Sequence, residues 1–218
     1  MSKAFYRKYR SKKLSEVVGQ QHITTVLESA LKKKKIAHAY LFTGPRGVGK
    51  TSVARILAHE INKIPYTDES YHPDIIEIDA ASNNGVDDIR YLRDQVQTAP
   101  FSAKKRIYII DEVHMLSKQA FNALLKTLEE PPEHVVFILA TTDPHKLPPT
   151  IISRTQQFVF HYISQDDICK QLRFIADSEK ISISDDAIKI IAERGGCSFR
   201  DSISLLDQIS SINSSDEI

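Results

Sequence analysis

A glycine-rich loop that ends in a lysine and a threonine is the strongest chemical signal in the sequence. The run GPRGVGKT has the GxxxxGK[ST] spacing that binds nucleotide phosphates. Glycine lets the backbone N–H groups turn inward, Lys50 can reach the β- and γ-phosphates, and the Thr51 hydroxyl can bind Mg²⁺. The positive end of the helix that begins there attracts the same phosphates. The expected nucleotide contacts are Gly44, Pro45, Arg46, Gly47, Val48, Gly49, Lys50, Thr51 and Ser52.

Two acidic residues follow a strongly apolar run further along the chain. In RIYIIDE, Asp111 and Glu112 come directly after the β-branched and aromatic run 107–110, which predicts a strand buried on both faces. The carboxyl end of such a strand lies where α/β sheets bind ligands. Asp111 can hold Mg²⁺ through water, and Glu112 is placed to polarise an attacking water. The pair predicts an NTPase that uses ATP and Mg²⁺. His114 completes DEVH, as in DEAH helicases, but no other helicase element is visible.

Four further polar residues are candidates on weaker signals. Thr141 and Thr142 follow the apolar run 135–140, where polar side chains can point at a γ-phosphate. The same residues also suit a turn or a helix cap after a strand. Arg154, in SRT, and Arg200, in SFRD, could each bind phosphate or form an ordinary salt bridge.

The composition limits the class of protein. The 29 Lys and Arg residues nearly balance the 28 Asp and Glu residues, which excludes a globally basic nucleic-acid coat and an acidic disordered tail. No apolar run is long enough to span a membrane, and the basic stretch 1–13 lacks the apolar core of a signal peptide. We expect that stretch to be a solvated or frayed terminus. Two cysteines are too few for a disulfide framework, so we expect a reducing cytoplasm. They are also too few for a four-cysteine zinc site, and the eight histidines show no metal-binding spacing, so we expect no zinc.

Short apolar runs alternate with amphipathic helical patterns over the first part of the chain. Helices are predicted from Ile23 to Leu31, after the phosphate loop, and over 117–130, where Pro131 and Pro132 end the pattern. This alternation predicts an α/β protein with a parallel sheet and helices on both sides. The expected strands are 39–43, 75–78, 107–110, 135–140 and 158–160.

The pattern changes after about residue 163. Helices are predicted to begin at Ser164, at Ser184 and near Phe199, and no strand pattern interrupts them. We therefore predict two domains, a nucleotide-binding domain over 1–162 and a small all-helical domain over 163–218. The polar tail SSINSSDEI is expected to fray.

Six segments of the chain together carry a family resemblance. They are VVGQQH, HAYLFTGPRGVGKTS, DIIEIDAASNNGVDDIR, IYIIDEVHMLS, FNALLKTLEEPPEHVVFILATTDPHKLPPTIISR and SFRDSISLLDQ. They resemble the γ/τ subunits of the bacterial DNA polymerase III clamp loader. The δ′ subunits look similar but typically have a degraded phosphate loop, whereas this loop is intact. The resemblance implies an AAA+ P-loop NTPase, with a five-stranded parallel sheet in an αβα sandwich followed by a small all-helical lid.

The resemblance also implies roles for individual residues. The segment that packs on adenine in this family is matched by Tyr6, Val17 and Val18. Thr141 and Thr142 match the first sensor, and Arg200 matches the second sensor, which reaches the nucleotide of its own subunit from the lid. Arg154 matches the arginine finger that completes the site of a neighbouring subunit in trans. Lys50, Glu112 and Arg154 would then be the catalytic residues, and Thr51 and Asp111 would hold Mg²⁺ with the nucleotide.

A motor subunit of the replicative clamp loader is the function that this resemblance implies. It would hydrolyse ATP and place the sliding clamp on primed DNA for DNA polymerase III, in the cytoplasm at the nucleoid. The implied partners are δ, δ′ and further γ/τ subunits, the clamp, and the phosphates of primer–template DNA. The family forms its hetero-oligomer through a C-terminal helical collar, which this sequence does not reach. Two alternatives stay open: another AAA+ DNA motor, for branch migration or helicase loading, and a non-hydrolysing replisome scaffold.

Two segments depart from the family pattern. The family usually carries a four-cysteine zinc module after the phosphate-loop helix, whereas residues 62–71 contain no cysteine. We therefore expect a short loop there and no structural zinc. The finger motif is usually Ser-Arg-Cys, and here it is Ser153-Arg154-Thr155. Because the arginine is retained, we expect the finger to work.

Overall fold

Five parallel strands form one sheet at the centre of the protein. The computed structural model describes residues 4–67, 71–83, 85, 92 and 95–213. The strands are β1 (Ala39–Thr43), β2 (Ile75–Asp79), β3 (Arg106–Asp111), β4 (Val135–Thr141) and β5 (Gln156–Val159). Their order is β2-β3-β4-β1-β5, and every neighbouring pair is parallel. Because Thr43 pairs with Thr141 and Asp79 pairs with Asp111, the carboxyl ends of β1 to β4 lie along one edge.

Helices cover both faces of this sheet. Within the described residues they are α1 (Phe5–Lys8), α2 (Gln21–Lys32), α3 (Lys50–Asn62), α4 (Lys118–Glu129), α5 (Pro149–Ile152), α6 (Gln165–Ser178), α7 (Asp185–Arg194) and α8 (Phe199–Asn213). In β1, Tyr40 and Phe42 belong to one buried cluster, together with apolar residues of α2 and α3. Ala39 and Leu41 belong to a second cluster, with α4. The alternation of side chains along a strand thus builds the predicted αβα sandwich.

Three helices after the sheet form the helical region that the sequence predicted. The Ser164 hydroxyl accepts the Asp167 N–H at 3.1 Å, and the Ser184 hydroxyl accepts the Ala187 N–H at 3.2 Å. These side-chain caps begin α6 and α7, because each satisfies a backbone donor that has no partner inside the helix. No strand occurs among the described residues after β5. The division at residues 162 and 163 stays a prediction, since apolar side chains of α6 to α8 continue the cluster of the first face.

The fifth strand differs in its bounds from the prediction. We predicted 158–160, whereas β5 begins at Gln156 and ends at Val159. Phe160 follows it and still donates its backbone N–H to the Thr43 carbonyl at 2.7 Å. As an edge strand, β5 pairs with β1 alone, and its two glutamines are exposed. The strand was harder to recognise from the sequence because only Phe158 of its four residues is buried. A strand that is covered on both faces would instead form a continuous apolar run.

The amino-terminal segment packs on the helical region, so the expectation of a frayed terminus was wrong for residues 5–9. The Phe5 N–H donates to the Asp207 carboxylate at 3.1 Å, and Lys8 Nζ lies 2.5 Å from Glu179 Oε1. The Tyr9 ring meets the Phe174 ring edge-on, with centroids 6.1 Å apart. Residues 1–3, and residues 214–218 of the tail expected to fray, lie outside the described part of the chain.

A buried carboxylate anchors the loop that leads into β3. Asp74 is fully buried and accepts the backbone N–H groups of Phe101 (2.6 Å), Ser102 (2.8 Å) and Ala103 (2.8 Å). Burial alone would raise the Asp74 pKa, but the hydrogen bonds from Ser102, Ala103 and Phe101 outweigh it and lower the pKa below the ordinary 3.8. A lowered carboxyl pKa stabilises the fold above pH 3.8, and this contribution is lost as the pH falls through the folded-state value.

We expect Asp74→Asn to lower the free energy of unfolding at pH 7 by about 2 kcal/mol or more. An amide turns an N–H₂ group toward backbone donors, so at least one buried N–H loses its acceptor. Urea unfolding at pH 7 and below pH 3.8 is the measurement, with the exposed Asp177→Asn as control. The gap between Asp74→Asn and the wild type should close in acid. A gap that stays constant with pH would contradict the anchor.

Candidate functional site

The phosphate loop leaves β1 in a conformation that glycine allows. Gly44 and Gly47 have φ values of 138° and 76°, a region that residues with a Cβ rarely adopt. A Cβ on Gly44 would lie 2.3 Å from the Phe160 carbonyl oxygen, so the loop and the segment after β5 approach too closely for a side chain. A Cβ on Gly49 would meet no atom within 4 Å. The space above that part of the loop is therefore open to a ligand.

Lys50 places a buried cation inside the loop. Its side chain is 6% exposed, and Nζ donates to the carbonyl oxygens of Gly44 at 2.8 Å and Pro45 at 2.6 Å. Burial lowers the Lys50 pKa, while Glu112 and Asp111 oppose that shift. Within the described residues, the hydrogen bonds of the ammonium thus go to two neutral carbonyls, which an anion in the cavity can replace as partners.

Thr51 and Asp111 bring two side-chain oxygens together at the start of α3. Thr51 Oγ1 donates to Asp111 Oδ2 at 2.7 Å. Burial raises the Asp111 pKa, although the hydrogen bonds from Thr51 and from the Glu112 N–H oppose the shift. Hydroxyl and carboxylate oxygens are the hard ligands that Mg²⁺ takes beside phosphate. This pair fits the metal that the sequence predicted here.

Glu112 has a strained backbone and a firmly held carboxylate. Its φ of 47° lies in the left-handed region, which is unusual for a residue with a side chain. Its Oε2 accepts the Thr142 backbone N–H at 3.0 Å and the Thr142 hydroxyl at 2.9 Å. Thr141 is fully buried, and its Oγ1 accepts the Asp143 N–H at 3.0 Å. Thr142 thus contacts Glu112 directly, and Thr141 precedes it as the last residue of β4. Their role as a sensor stays a prediction.

A cavity of about 430 Å³ joins these residues to the lid and to the amino-terminal segment. The Arg200 guanidinium carbon lies 5.3 Å from the centre of the Tyr6 ring, so the lid arginine and the amino-terminal tyrosine meet at its wall. Of the residues predicted from the sequence, the lining includes Tyr6, Val17, Val18, Arg46, Gly47, Val48, Gly49, Lys50, Thr51, Ser52, Asp111, Glu112 and Arg200. Gly44 and Pro45 accept hydrogen bonds from Lys50, and Thr142 donates to Glu112, so these three residues contact residues that form the wall. Thr141 instead contacts His114, which does not line the cavity.

Several lining residues were missed by the sequence analysis. They include Arg10, Glu16, Asp79 and Gln171. Asp79 had a usable signal, because it ends β2 at the same sheet edge as Asp111. Gln171 belongs to no motif and lines the cavity because α6 of the helical region borders it.

Arg154 lies away from this cavity, at the side of the sheet where the parallel strands begin. It comes just before Gln156, the first residue of β5, whereas the phosphate loop follows the last residue of β1. Since β1 and β5 are parallel, the two sites are at opposite ends of neighbouring strands. Arg154 donates to Glu129 Oε1 at 2.8 Å and to the Thr150 carbonyl at 2.9 Å. The structure does not bring Arg154 to the phosphate loop of its own chain.

Neither a metal cluster nor a membrane segment is found in the described part of the chain. Residues 4–67, 71–83, 85, 92 and 95–213 contain no group of three or more His, Cys, Asp or Glu side chains that could hold a metal ion. Among the same residues, no helix has the length and apolar character to cross a membrane. Residues 68–70 of the predicted short loop, and Asn84 and 86–90 of the ASNNGVDDIR segment, lie outside the description. The absence of structural zinc stays a prediction.

Two protein-family descriptions match the chain in succession. Residues 19–164 match "DNA polymerase III, delta subunit", and residues 167–215 match "DNA polymerase III clamp loader subunit, ATPase lid domain". The chain belongs to the DNA polymerase III clamp-loader family. As a member of this family it is a nucleotide-binding protein, which agrees with the phosphate loop and the cavity above it.

Among clamp-loader proteins, the similar relatives are τ and γ/τ subunits. The chain is 52% identical to DNA polymerase III subunit tau of Bacillus subtilis, over 94% of this chain and 39% of that protein. It is 47% identical to subunit tau of Escherichia coli, over 93% of this chain and 34% of that protein. The predicted membership of the γ/τ group is confirmed, and the chain corresponds to its N-terminal part. It spans little more than a third of the length of these relatives.

Solved structures of another protein share the fold of this clamp-loader chain. RuvB of Thermotoga maritima, described as a Holliday junction branch migration motor, superimposes with a TM-score of 0.74 at 22% identity. The match covers 94% of this chain and 66% of that one. Together with the match to the clamp-loader ATPase lid domain, it confirms the predicted AAA+ architecture of an αβα sandwich with a helical lid. At this identity the likeness shows the fold alone, so it does not favour a branch-migration function.

Proposed function

We propose that this chain is the ATP-hydrolysing motor subunit of a replicative clamp loader, which places the sliding clamp on primed DNA for DNA polymerase III. The observation that carries the proposal is that the phosphate loop, the Asp111–Glu112 pair and the lid residue Arg200 line one cavity. Such a cavity can bind a triphosphate, activate water and report the nucleotide to the lid. Membership of the clamp-loader family supports the choice of this function over other AAA+ motors.

Binding rests on the loop, the lid and the amino-terminal segment. Lys50 exchanges its two carbonyl partners for phosphate oxygens, and the N–H groups of the loop face the same anion. Thr51 and Asp111 would hold Mg²⁺, which would shield the charge of the phosphates. Tyr6, Val17 and Val18 supply the apolar wall for the base. Arg200 draws the lid onto the sheet when a phosphate is present.

Hydrolysis rests on Glu112 and on the two threonines behind it. The carboxylate takes a proton from the attacking water, while Thr142 holds one carboxylate oxygen at 2.9 Å and 3.0 Å. Thr141 ends β4, the strand next to the one that carries Asp111, and Thr142 follows it, so the two threonines can sense the γ-phosphate. A preorganised base of this kind lowers the barrier, because it need not reorient during the reaction.

Arg154 acts on a neighbouring subunit. Its place at the amino edge of the sheet, opposite the cavity of its own chain, supports a role in trans. Hydrolysis then depends on assembly, because a single chain supplies all groups of a site except this arginine. The partners that we propose are δ, δ′ and further γ/τ subunits, the sliding clamp and the phosphates of primer–template DNA, contacted without sequence preference. We place this assembly in the cytoplasm at the nucleoid. Within this chain, residues 1–162 would form the nucleotide-binding domain and residues 163–218 the lid domain.

ATP turnover tests this function. We expect slow turnover by the chain alone and strong stimulation when clamp-loader partners, clamp and primed DNA are added to the full-length protein. Stimulation should need the clamp, which separates a clamp loader from a branch-migration motor or helicase loader acting on DNA without one. Turnover that stays at zero in the complete full-length assembly would contradict a motor and would favour a replisome scaffold.

A further inference from the structure

His114 connects the turn that follows the acidic pair to the end of β4. It lies in the short 3₁₀ turn Val113–Met115, which begins directly after Glu112. Its Nδ1 is 2.8 Å from Thr141 Oγ1 and 3.3 Å from Glu112 Oε2. The imidazole is largely buried, with 9% of its side-chain surface exposed. One ring nitrogen is therefore shared between the glutamate of the turn and the threonine of the neighbouring strand.

The chemistry of these neighbours indicates which tautomer of the ring fits the observed distances. An ionised carboxylate can only accept hydrogen bonds, so a bare Nδ1 lone pair at 3.3 Å from Oε2 would be repelled. A protonated Nδ1 instead donates to Thr141 Oγ1 and attracts the carboxylate. Thr141 Oγ1 then accepts two hydrogen bonds, one from His114 and one from the Asp143 N–H. The geometry favours His114 with a proton on Nδ1.

Glu112 needs such a support because its own backbone does not favour the observed position. A φ of 47° at a residue with a side chain persists only where the surroundings hold it, and such strain is typical of functional sites. Thr142 holds Oε2 through two hydrogen bonds. In the described part of the chain no hydrogen bond reaches Oε1, so that oxygen is left to accept a proton. Within the described residues, the side-chain hydrogen bonds that join this turn to the end of β4 come from His114 and Thr142.

We propose that His114 is a positioning residue for hydrolysis, which ties the turn that carries Glu112 to the end of β4 and keeps the carboxylate against Thr142. This inference rests on the proposed function, because it assigns a support to the base of that reaction. It does not make His114 a catalytic residue, since the imidazole acts through Glu112 and Thr141. It also assigns a role to the histidine of DEVH that does not depend on the likeness to the DEAH motif of helicases.

Turnover and ATP affinity should respond differently to the loss of this imidazole. In the full-length protein, assembled with its partners, clamp and primed DNA, we expect His114→Ala to lower kcat about 10- to 100-fold. ATP affinity should stay within about threefold, because the phosphate contacts are untouched. His114→Asn should recover most of kcat, since its amide N–H can donate near the position of Nδ1. The exposed His145→Ala is the matched control and should behave as the wild type.

The outcomes separate this proposal from the proposed function. Glu112→Gln, measured in parallel, should abolish turnover if Glu112 is the base. If it does so while His114→Ala keeps its full kcat, the positioning role is wrong and the motor function stands. Equal losses in His114→Ala and His114→Asn would also overturn the role, because they would indicate packing alone. A wild-type assembly without turnover would overturn the motor function and this inference with it.

The protonation of His114 gives a second readout that needs no turnover. Nitrogen-15 NMR of the histidine-labelled chain distinguishes a protonated Nδ1 from a bare one. We expect a protonated Nδ1 at neutral pH in the chain without nucleotide, and its signal should be absent from His114→Asn. A neutral ring with its proton on Nε2 and a bare Nδ1 would contradict the proposed contact with Glu112.

Discussion

Lys50→Ala is expected to weaken ATP binding at least about 100-fold and to abolish turnover. A hydrogen bond to a charged group contributes roughly 1.5–3 kcal/mol, and the ammonium can make two such bonds to phosphate. The loss of both hydrogen bonds therefore lowers the affinity for ATP about 100-fold or more. Equilibrium titration with a fluorescent ATP analogue measures the binding, and phosphate release measures the turnover.

Two further variants make the Lys50 result specific. Lys50→Met keeps most of the side-chain volume in a site that is 6% exposed, so it tests the charge without opening a cavity. It should lose binding as Lys50→Ala does. Lys33→Ala, at the exposed end of α2, is the control and should bind as the wild type. Near-normal affinity in a folded Lys50→Met protein would show that the loop does not bind phosphate.

Arg154→Ala is expected to leave ATP binding intact and to remove most of the turnover that assembly and DNA stimulate. Arginine fingers contribute about 10³ to 10⁵ in rate in related NTPases, and a loss of this order is expected here. The fold should be unaffected. The Arg154–Glu129 pair is 33% and 48% exposed, and pairs at such exposure contribute about 0–1 kcal/mol. Steady-state kinetics of the assembled complex, with the exposed Arg194→Ala as control, measures the effect.

A mixing experiment tests whether Arg154 acts in trans. Subunits that carry Lys50→Ala have an intact finger, and subunits that carry Arg154→Ala have an intact phosphate loop. If each finger serves a neighbour, assemblies that contain both variants should recover part of the stimulated turnover that neither variant shows alone. Unchanged stimulation in Arg154→Ala would refute the finger, and the absence of recovery in mixed assemblies would place its action within one chain.

Local patterns allowed most of the fold to be predicted, and the exceptions have physical causes. The buried strands β1, β3 and β4 read as apolar runs because both of their faces are covered. The bounds of β5 were less clear, since an edge strand exposes part of its side chains. The amino-terminal turn was taken for a frayed end because its cations dominate the sequence there. The aromatic residues among them contact the helical region far along the chain: the Phe5 N–H donates to Asp207, and the Tyr9 ring meets the Phe174 ring.

The sequence by itself determined the phosphate loop and the acidic pair, since both depend on residue type and short spacing. The glycines, the lysine and the threonine of the loop are adjacent in the chain, so their positions depend only on the strand before them and the helix after them. Only the tertiary structure decided that Thr51, at the start of α3, reaches Asp111, at the end of β3, because β4 lies between β3 and the strand β1 that precedes the phosphate loop. It also placed His114 between Glu112 and Thr141, and Arg154 at the far edge of the sheet. Such contacts follow from strand order and helix packing, which no local pattern in the chain encodes.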